Sequence, residues 1–259
     1  MALSQLRQHL ESLAAAGVLG VPRPLAASGM PESPAQADAR SSSVKTVHTS
    51  SQLNPGSFGF LPLTGIDDDA LASRWTALDA MRAEVVACTR CQQLACSRKQ
   101  TVFGAGHAAA RICFLGEAPG AEEDASGEPF VGRAGQLLTK IIEACRLTRD
   151  EVFILNVLKC RPPDNRRPTA DEVENCRPFF QRQLEIISPD VICCLGATAA
   201  QALLGVDTAI GKLRGQWHRY RNTDVTCTYH PSYLLRNPAA KREVWEDMKA
   251  MMRRLGVEL

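Results

Sequence analysis

The chain has 259 residues, 45% of them hydrophobic, and a formal net charge of +2. That size suits one good-sized domain with an appendage or two small domains, and that apolar share can bury a proper core. No apolar run reaches the ~18 residues a membrane span requires. The start, MALSQLRQHLESLAAAGVLG, lacks the basic-then-apolar order of a secretory signal, so a cytoplasmic protein is expected. Near-neutral charge announces no nucleic-acid binding by itself, and local clusters must carry any such case. Ten cysteines are many for this length. Without an export signal they read as metal ligands mixed with buried thiols, not as a disulfide framework.

In chain order, Leu3, Leu6, Leu10 and Leu13 form one apolar stripe, predicting a short helix within residues 1–20. Such a helix docks on the main domain, frays, or receives a protein partner. Residues 21–65 interleave Pro22, Pro24, Pro31, Pro34 and Pro55 with Ser, Ala and Gly, which predicts a disordered linker. A folded domain is expected over 66–259. Asp67, Asp68 and Asp69 cap or precede a helix to about Ala87, with Leu78, Met81 and Val85 on one face. Ile112–Leu115, Val152–Leu155, Val191–Leu195 and Val225–Tyr229 read as strands. Helices are predicted over 134–146, from the Thr169–Glu172 capping box to about Ile187, over Ala197–Leu204, and over 238–255. Alternating strands and helices imply an α/β fold: a three-layer α/β/α sandwich around a mainly parallel four-stranded sheet.

In such sheets ligands bind beyond the carboxyl ends of the strands. Three strands end in polar, loop-like sequence: Gly116–Gly120, Asn156, and His230-Pro231-Ser232. These segments are expected to converge on one cleft. The glycines of Gly116–Gly120 and Gly127–Gly135 permit close backbone approach to a ligand, or a tight turn under the sheet. They lack the lysine and spacing of a P-loop and the spacing of a dinucleotide fingerprint. Cys88 and Cys91 form a CxxC, while Cys160 and Cys176 stand apart downstream. Four thiolates hold either zinc or a [4Fe–4S] cluster, and the spacing alone does not choose. Cys113, Cys193, Cys194 and Cys227 lie in strand-like runs and read as buried hydrophobes. Cys145 reads as packed and Cys96 as a spare thiol.

Together the stretches GEAPGAEED, GEPFVGRAGQLL, NVLKCRPPDNRRP and HPSYLLRNP, with the CTRC pair, closely resemble the family 4 uracil-DNA glycosylases. The resemblance runs from about residue 75 to 255. It implies a base-flipping hydrolase on uracil-containing DNA, a monomer, that initiates base excision repair. It also implies a [4Fe–4S] cluster on Cys88, Cys91, Cys160 and Cys176. A glycosylase reads the flipped base on its Watson–Crick edge. Uracil offers an N3–H donor beside an O4 acceptor, and the Asn156 side chain presents the matching acceptor and donor. Cytosine presents the reverse. By the resemblance Phe130 stacks on the base, and Glu123 lies near its C5 edge, where thymine carries a methyl. His230 faces O2, where a neutral imidazole N–H stabilises developing negative charge. Leu234 or Leu235, followed by Arg236, would wedge the gap left in the helix. Gly116, Glu117 and Ala118 would line the base pocket. Glu117, with Asp124 as the alternative, would position water or stabilise a cationic sugar, a role that demands little nucleophile activation. Read singly, Asn156 is as well explained as a turn cap, Phe130 as core, His230 as a capped strand end, and the carboxylates as helix-start acids.

Arg161, Arg166 and Arg167 form a basic patch for phosphate contacts. Lys212, Arg214, Arg219 and Arg221 form a second patch or simply a solvated face. The segment 161–168 has no histidine and no basic insertion, which argues against relatives that bond covalently to the abasic product. The rival from another class is a non-catalytic iron–sulfur DNA-binding module, which the intact Glu117, Phe130, Asn156 and His230 disfavour.

Overall fold

The structure, a computed structural model, describes residues 67–259. The helix expected within 1–20 and the linker expected over 21–65 lie outside the described residues. The first helix, α1 (Asp68–Val86), starts where Asp67 accepts the Ala70 N–H at 2.7 Å, and it buries Leu78, Met81 and Val85. A short helix α2 (Gln92–Ser97) and a two-residue strand β1 (Ala105–Gly106) follow. Next come β2 (Ile112–Gly116), α3 (Ala121–Ser126), α4 (Arg133–Ala144) and β3 (Phe153–Asn156). The reciprocal Thr169–Glu172 capping box opens α5 (Ala170–Ile187). Then come β4 (Val191–Leu195), α6 (Ala197–Leu204), α7 (Ile210–Leu213), β5 (Trp217–Tyr220), β6 (Thr223–Thr228), α8 (Pro231–Arg236) and α9 (Lys241–Arg254).

The sheet order is β1-β3-β2-β4-β6-β5. The inner four strands are parallel, and β1 and β5 add antiparallel edges. The expected four-stranded sheet is thus the core of a six-stranded mixed one. The two edges were hidden for physical reasons. β1 follows Gly104 and contains Gly106, at φ of 126° and 129°, so it has almost no side-chain signal. β5 reaches β6 through a two-residue Arg221–Asn222 turn with Arg221 at φ 52°. That hairpin lacks the Gly that normally marks such turns.

Alternate residues of each inner strand face opposite layers. Cys113, Leu115, Phe153, Leu155, Ile192 and Cys194 pack with α1, α5 and α6. Ile112, Phe114, Ile154, Val191, Cys193 and Leu195 pack with α4, α8 and α9. This is the three-layer sandwich, and it explains the unbroken apolar runs of strands covered on both faces. Cys113, Cys193, Cys194 and Cys227 are buried within it; burial pushes the Cys113 and Cys193 thiols well up, and a hydrogen bond with Cys227, together with burial, does so for Cys194. Chain order reverses on either side of β2, so the crevice falls at the carboxyl ends beside it.

Candidate active site

All four parallel strands end at one cleft of about 680 Å³. β2 delivers Glu117 and Ala118, β3 delivers Asn156, β4 delivers Leu195 and Gly196, and β6 leads to His230. The β4 end joins the three strand ends expected from sequence.

At the floor, Gly116 and Asn156 are register partners across β2 and β3. Asn156 is only 2% exposed, and its Oδ1 has no hydrogen-bond partner among the described residues. An unsatisfied buried acceptor costs about 1–3 kcal/mol, which a donor entering the cleft would recover. Gly116 is buried and does not itself line the cleft. Its contribution is space: a Cβ there would overlap the Asn156 Oδ1 and lie 2.5 Å from the Phe130 Cζ. Phe130 is buried at φ 53°, a left-handed conformation that costs a non-glycine residue on the order of 1–3 kcal/mol. Its ring centre lies 5.6 Å from that of His230, at 34°. Glu123 lines the cleft, but its carboxylate is occupied. It accepts from the N–H groups of Gly120 at 3.0 Å, Val131 at 2.9 Å and Gly132 at 3.0 Å.

His230 caps α8. Its Nδ1 accepts the Ser232 backbone N–H at 3.1 Å. That amide can only donate, so the ring proton of the neutral imidazole sits on Nε2. Burial of the ring, aided by the Arg236 charge and opposed by Glu123, lowers the pKa to about 4. The imidazole is therefore neutral near pH 7, with an N–H free to donate. The Glu117 carbonyl accepts the Leu158 N–H at 3.0 Å, while its carboxylate makes no hydrogen bond or ion pair among the described residues and lines the same cleft.

Asp124 and Leu234 are buried away from the cleft. Asp124 is 2% exposed, is not among the cleft-lining residues, and accepts the Lys99 N–H at 3.0 Å. From the first turn of α3 its side chain ties that helix to the segment after α2, away from the cleft. Leu234 is 1% exposed and packs in the core beneath α4 and α9, so it is not a DNA wedge. Its neighbour Leu235 is 39% exposed and Tyr233 is 38% exposed. One residue along a helix turns the side chain by ~100°, which separates the two leucines.

Of the basic residues, Arg166, Arg167 and Arg236 line the cleft, and Arg161 does not. Arg161 donates to Asn165 at 2.8 Å, and Arg166 forms a two-pronged pair with Glu172 at 2.6 and 2.9 Å. In the second patch, Arg214 pairs with Glu243 and Asp247, Arg219 with Asp224, and Arg221 with Glu185. Those charges are answered internally, as on a solvated face. Arg133, Ser232 and Gly196 also line the cleft. Arg133 and Ser232 lie within GEPFVGRAGQLL and HPSYLLRNP, whereas Gly196 belongs to no motif.

Cys88 and Cys91 follow α1, Cys160 follows β3, and Cys176 lies on α5; all four belong to one packed layer. Cys160 lies within electrostatic reach of Cys88 and Cys91, and Cys176 within reach of Cys160 and Cys91. Among the described residues, no three ligand-type side chains close around a single ion as they stand. Burial pushes the Cys91 and Cys160 thiols up and that of Cys176 to about 11, and nearby donors pull the other way. Arg98 donates to the Cys160 Sγ at 3.0 Å, Asn175 to the Cys91 Sγ at 3.6 Å, and the Lys159 N–H to Cys176. The Lys159 ammonium is 1% exposed and donates to the Asn156 carbonyl at 2.8 Å and the Phe103 carbonyl at 3.3 Å. Burial lowers its pKa to about 7, and only the negative charges of Cys176 and Cys160 oppose that shift. A buried ammonium with no carboxylate partner fits beside an anionic thiolate centre.

Comparison with known proteins agrees with this geometry. The model of the uracil DNA glycosylase superfamily matches residues 103–249. A type-4 uracil-DNA glycosylase of Thermotoga maritima is 44% identical over 183 residues, covering 68% of this chain and 94% of the relative. That of Archaeoglobus fulgidus is 42% identical over 181 residues, covering 67% and 90%. A type-5 uracil-DNA glycosylase of Pyrobaculum aerophilum is more distant, at 32% over 167 residues. The strand-end cleft, the unpartnered Asn156 and the matched sequence place this chain in the uracil DNA glycosylase superfamily, among its type-4 members.

Proposed function

We propose that the chain excises uracil from DNA by hydrolysing the N-glycosidic bond of deoxyuridine, which leaves an abasic site and starts base excision repair. The extruded base stacks on Phe130. The Asn156 Oδ1 accepts from N3–H, and its Nδ2 donates to O4. Cytosine presents the reverse edge and would leave both groups buried and unpaired, which is worth ~10⁴-fold or more in discrimination. As the C1′–N1 bond breaks, the electron pair leaves with the base and negative charge gathers on O2. The His230 Nε2–H stabilises that charge as a neutral donor. Water then adds to C1′ and its proton ends on the departed uracil anion, while the Glu117 carboxylate holds the water and offsets the positive charge of the sugar. Glu123 places the backbone of the Val131–Gly132 turn and approaches the C5 edge from the cleft wall.

Cys88, Cys91, Cys160 and Cys176, as thiolates, would hold a [4Fe–4S] cluster that supplies a cross-link between α1, the β3 exit and α5. Three N–H donors toward their sulfurs and the adjacent Lys159 charge support this reading. The rim residues Arg133, Arg167 and Arg236 would meet DNA phosphates, and Leu235 with Tyr233 would fill the space the base vacates.

The observation that carries the proposal is the buried, partnerless Asn156 Oδ1 in the cleft under Phe130. The test is incubation of the intact protein with a uracil-containing oligonucleotide, followed by alkali. Strand scission at uracil, absent for thymine and cytosine and lost in Asn156→Ala, is expected. No scission by protein with its iron and sulfide in place would leave a non-catalytic DNA-binding module.

A further inference from the structure

Phe130 holds a strained backbone conformation, and something outside the cleft must hold it there. The contacts that do so are distributed by charge. On the carbonyl side stands Arg149, from the connection between α4 and β3. Its Nη2 donates to the Pro129 carbonyl at 2.6 Å, and its Nη1 donates to the Phe130 carbonyl at 3.2 Å and to the Thr139 Oγ1 at 3.2 Å. On the amide side stands Glu123, which accepts from Val131 and Gly132. Beneath them Gly135 of α4 lies so close that a Cβ would overlap the Phe130 carbonyl. Two consecutive carbonyls are thus held by a cation, and the next two amides by an anion. Arg149 is half-buried and does not line the cleft, so it touches no substrate.

We infer that Arg149 is a positioning residue that sets the Phe130 ring, and through it the stacking of the extruded base. This rests on the proposed role of Phe130. The planar guanidinium fork reaches two carbonyls and a hydroxyl at once, a geometry the single ammonium of lysine does not reproduce. The Phe130 ring edge is also what a Cβ on Gly116 would meet, so a small rotation of the ring closes the space beside Asn156.

A double-mutant cycle tests this. Uracil excision in single turnover, inhibition by free uracil and affinity for abasic DNA are measured for Arg149→Gln, Arg149→Lys, Phe130→Ala and the Arg149→Gln/Phe130→Ala double variant. Arg149→Gln is expected to lower excision about tenfold and to weaken uracil inhibition similarly, as loss of an ordered stacking partner does. Abasic-DNA affinity stays within about twofold, and Arg149→Lys does not rescue. In the Phe130→Ala background the further loss falls below about twofold. Equal losses in both backgrounds, or abasic-DNA affinity falling in step, overturn the assignment. Thr139→Val, which removes one anchor of the guanidinium, carries the same cycle if Arg149→Gln does not fold. A melting arm needs no activity: Phe130→Gly, which relieves the left-handed strain, should shrink the Tm loss caused by Arg149→Gln. An undiminished Tm loss overturns the clamp even if the protein proves inactive on uracil, an outcome that would separately remove the proposed function.

Discussion

At the floor of the cleft, Asn156, Gly116 and Phe130 are buried, and each is fixed by neighbours from a different element. At the rim, Tyr233, Leu235, Arg133, Arg167 and Arg236 stand largely in solvent on helix starts, loops and the short α8. The difference separates two tasks. Telling one base from another needs donors and acceptors held to fractions of an ångström, and strand ends within a two-faced core supply that. Holding a phosphate backbone needs charge and reach, and long exposed side chains supply those at little structural cost.

The sharpest way to break this comparison is at His230. His230→Ala should lower kcat about 10²–10³-fold, as loss of one aimed donor does, with little change in abasic-DNA affinity measured by gel shift. A proportional loss of affinity would move His230 to the rim. Next is Gly116→Ala, a single methyl set against the Asn156 Oδ1 and the Phe130 ring. Overpacking of this kind costs about 1–3 kcal/mol, and the corresponding fall of about fivefold or more should appear in free-uracil inhibition. Wild-type inhibition would mean the floor is looser than its contacts.

The two leucines of α8 provide the third contrast. Leu234→Ala should cost about 2–5 kcal/mol of stability, as core truncations do, read by denaturant unfolding. Leu235→Ala should change stability by less than about 0.5 kcal/mol and slow excision from double-stranded more than from single-stranded DNA. Reversed results would return Leu234 to the wedge. The smallest effect is expected at Arg161, which lies off the cleft and is paired with Asn165: Arg161→Ala should lower the slope of log affinity against log salt by at most about one unit.

The pH dependence follows from His230. Its native pKa of about 4 lies below the ordinary histidine value. Between these values the unfolded chain binds a proton that the native state does not. Stability from this group is therefore full above pH ~6.5, falls as pH drops toward 4, and levels off below. Because the neutral ring is the working form, the acid limb of kcat attributable to this histidine should lie near pH 4. A limb near 6.5 that is absent in His230→Ala would show the ring to be exposed.

Much of this was legible in the chain. The apolar runs at Ile112, Phe153 and Val191 reveal strands covered on both faces, and the Thr169–Glu172 box marks a helix start that forms as read. Strand-end polarity located the cleft, because topology alone requires ligands there. What escaped depends on direction in space. Asp124 and Glu123 are adjacent acids on α3, yet one turns inward to Lys99 and the other toward the cleft. Arg149 sits in an unremarkable TRDE stretch, and only the fold brings it to a loop twenty residues earlier in sequence. Lys159 looks like a surface residue until its ammonium is found among cysteines.

The pairing of Gly116 with Asn156 carries a last consequence. Successive residues of a strand point to opposite faces, so a slip of β3 against β2 by one residue would turn Asn156 away and offer Leu155 in its place. Bonds from the Val157 N–H to the Gly116 carbonyl and from the Leu158 N–H to the Glu117 carbonyl carry the register past the strand ends. A further guard is the alternation of Phe153, Ile154 and Leu155 between two separate apolar layers, which a shift would invert. Hydrophobic layering thus acts as the ruler against which a nucleobase is measured, and substitutions deep in the sandwich, far from any DNA, are where fidelity can be lost without loss of fold.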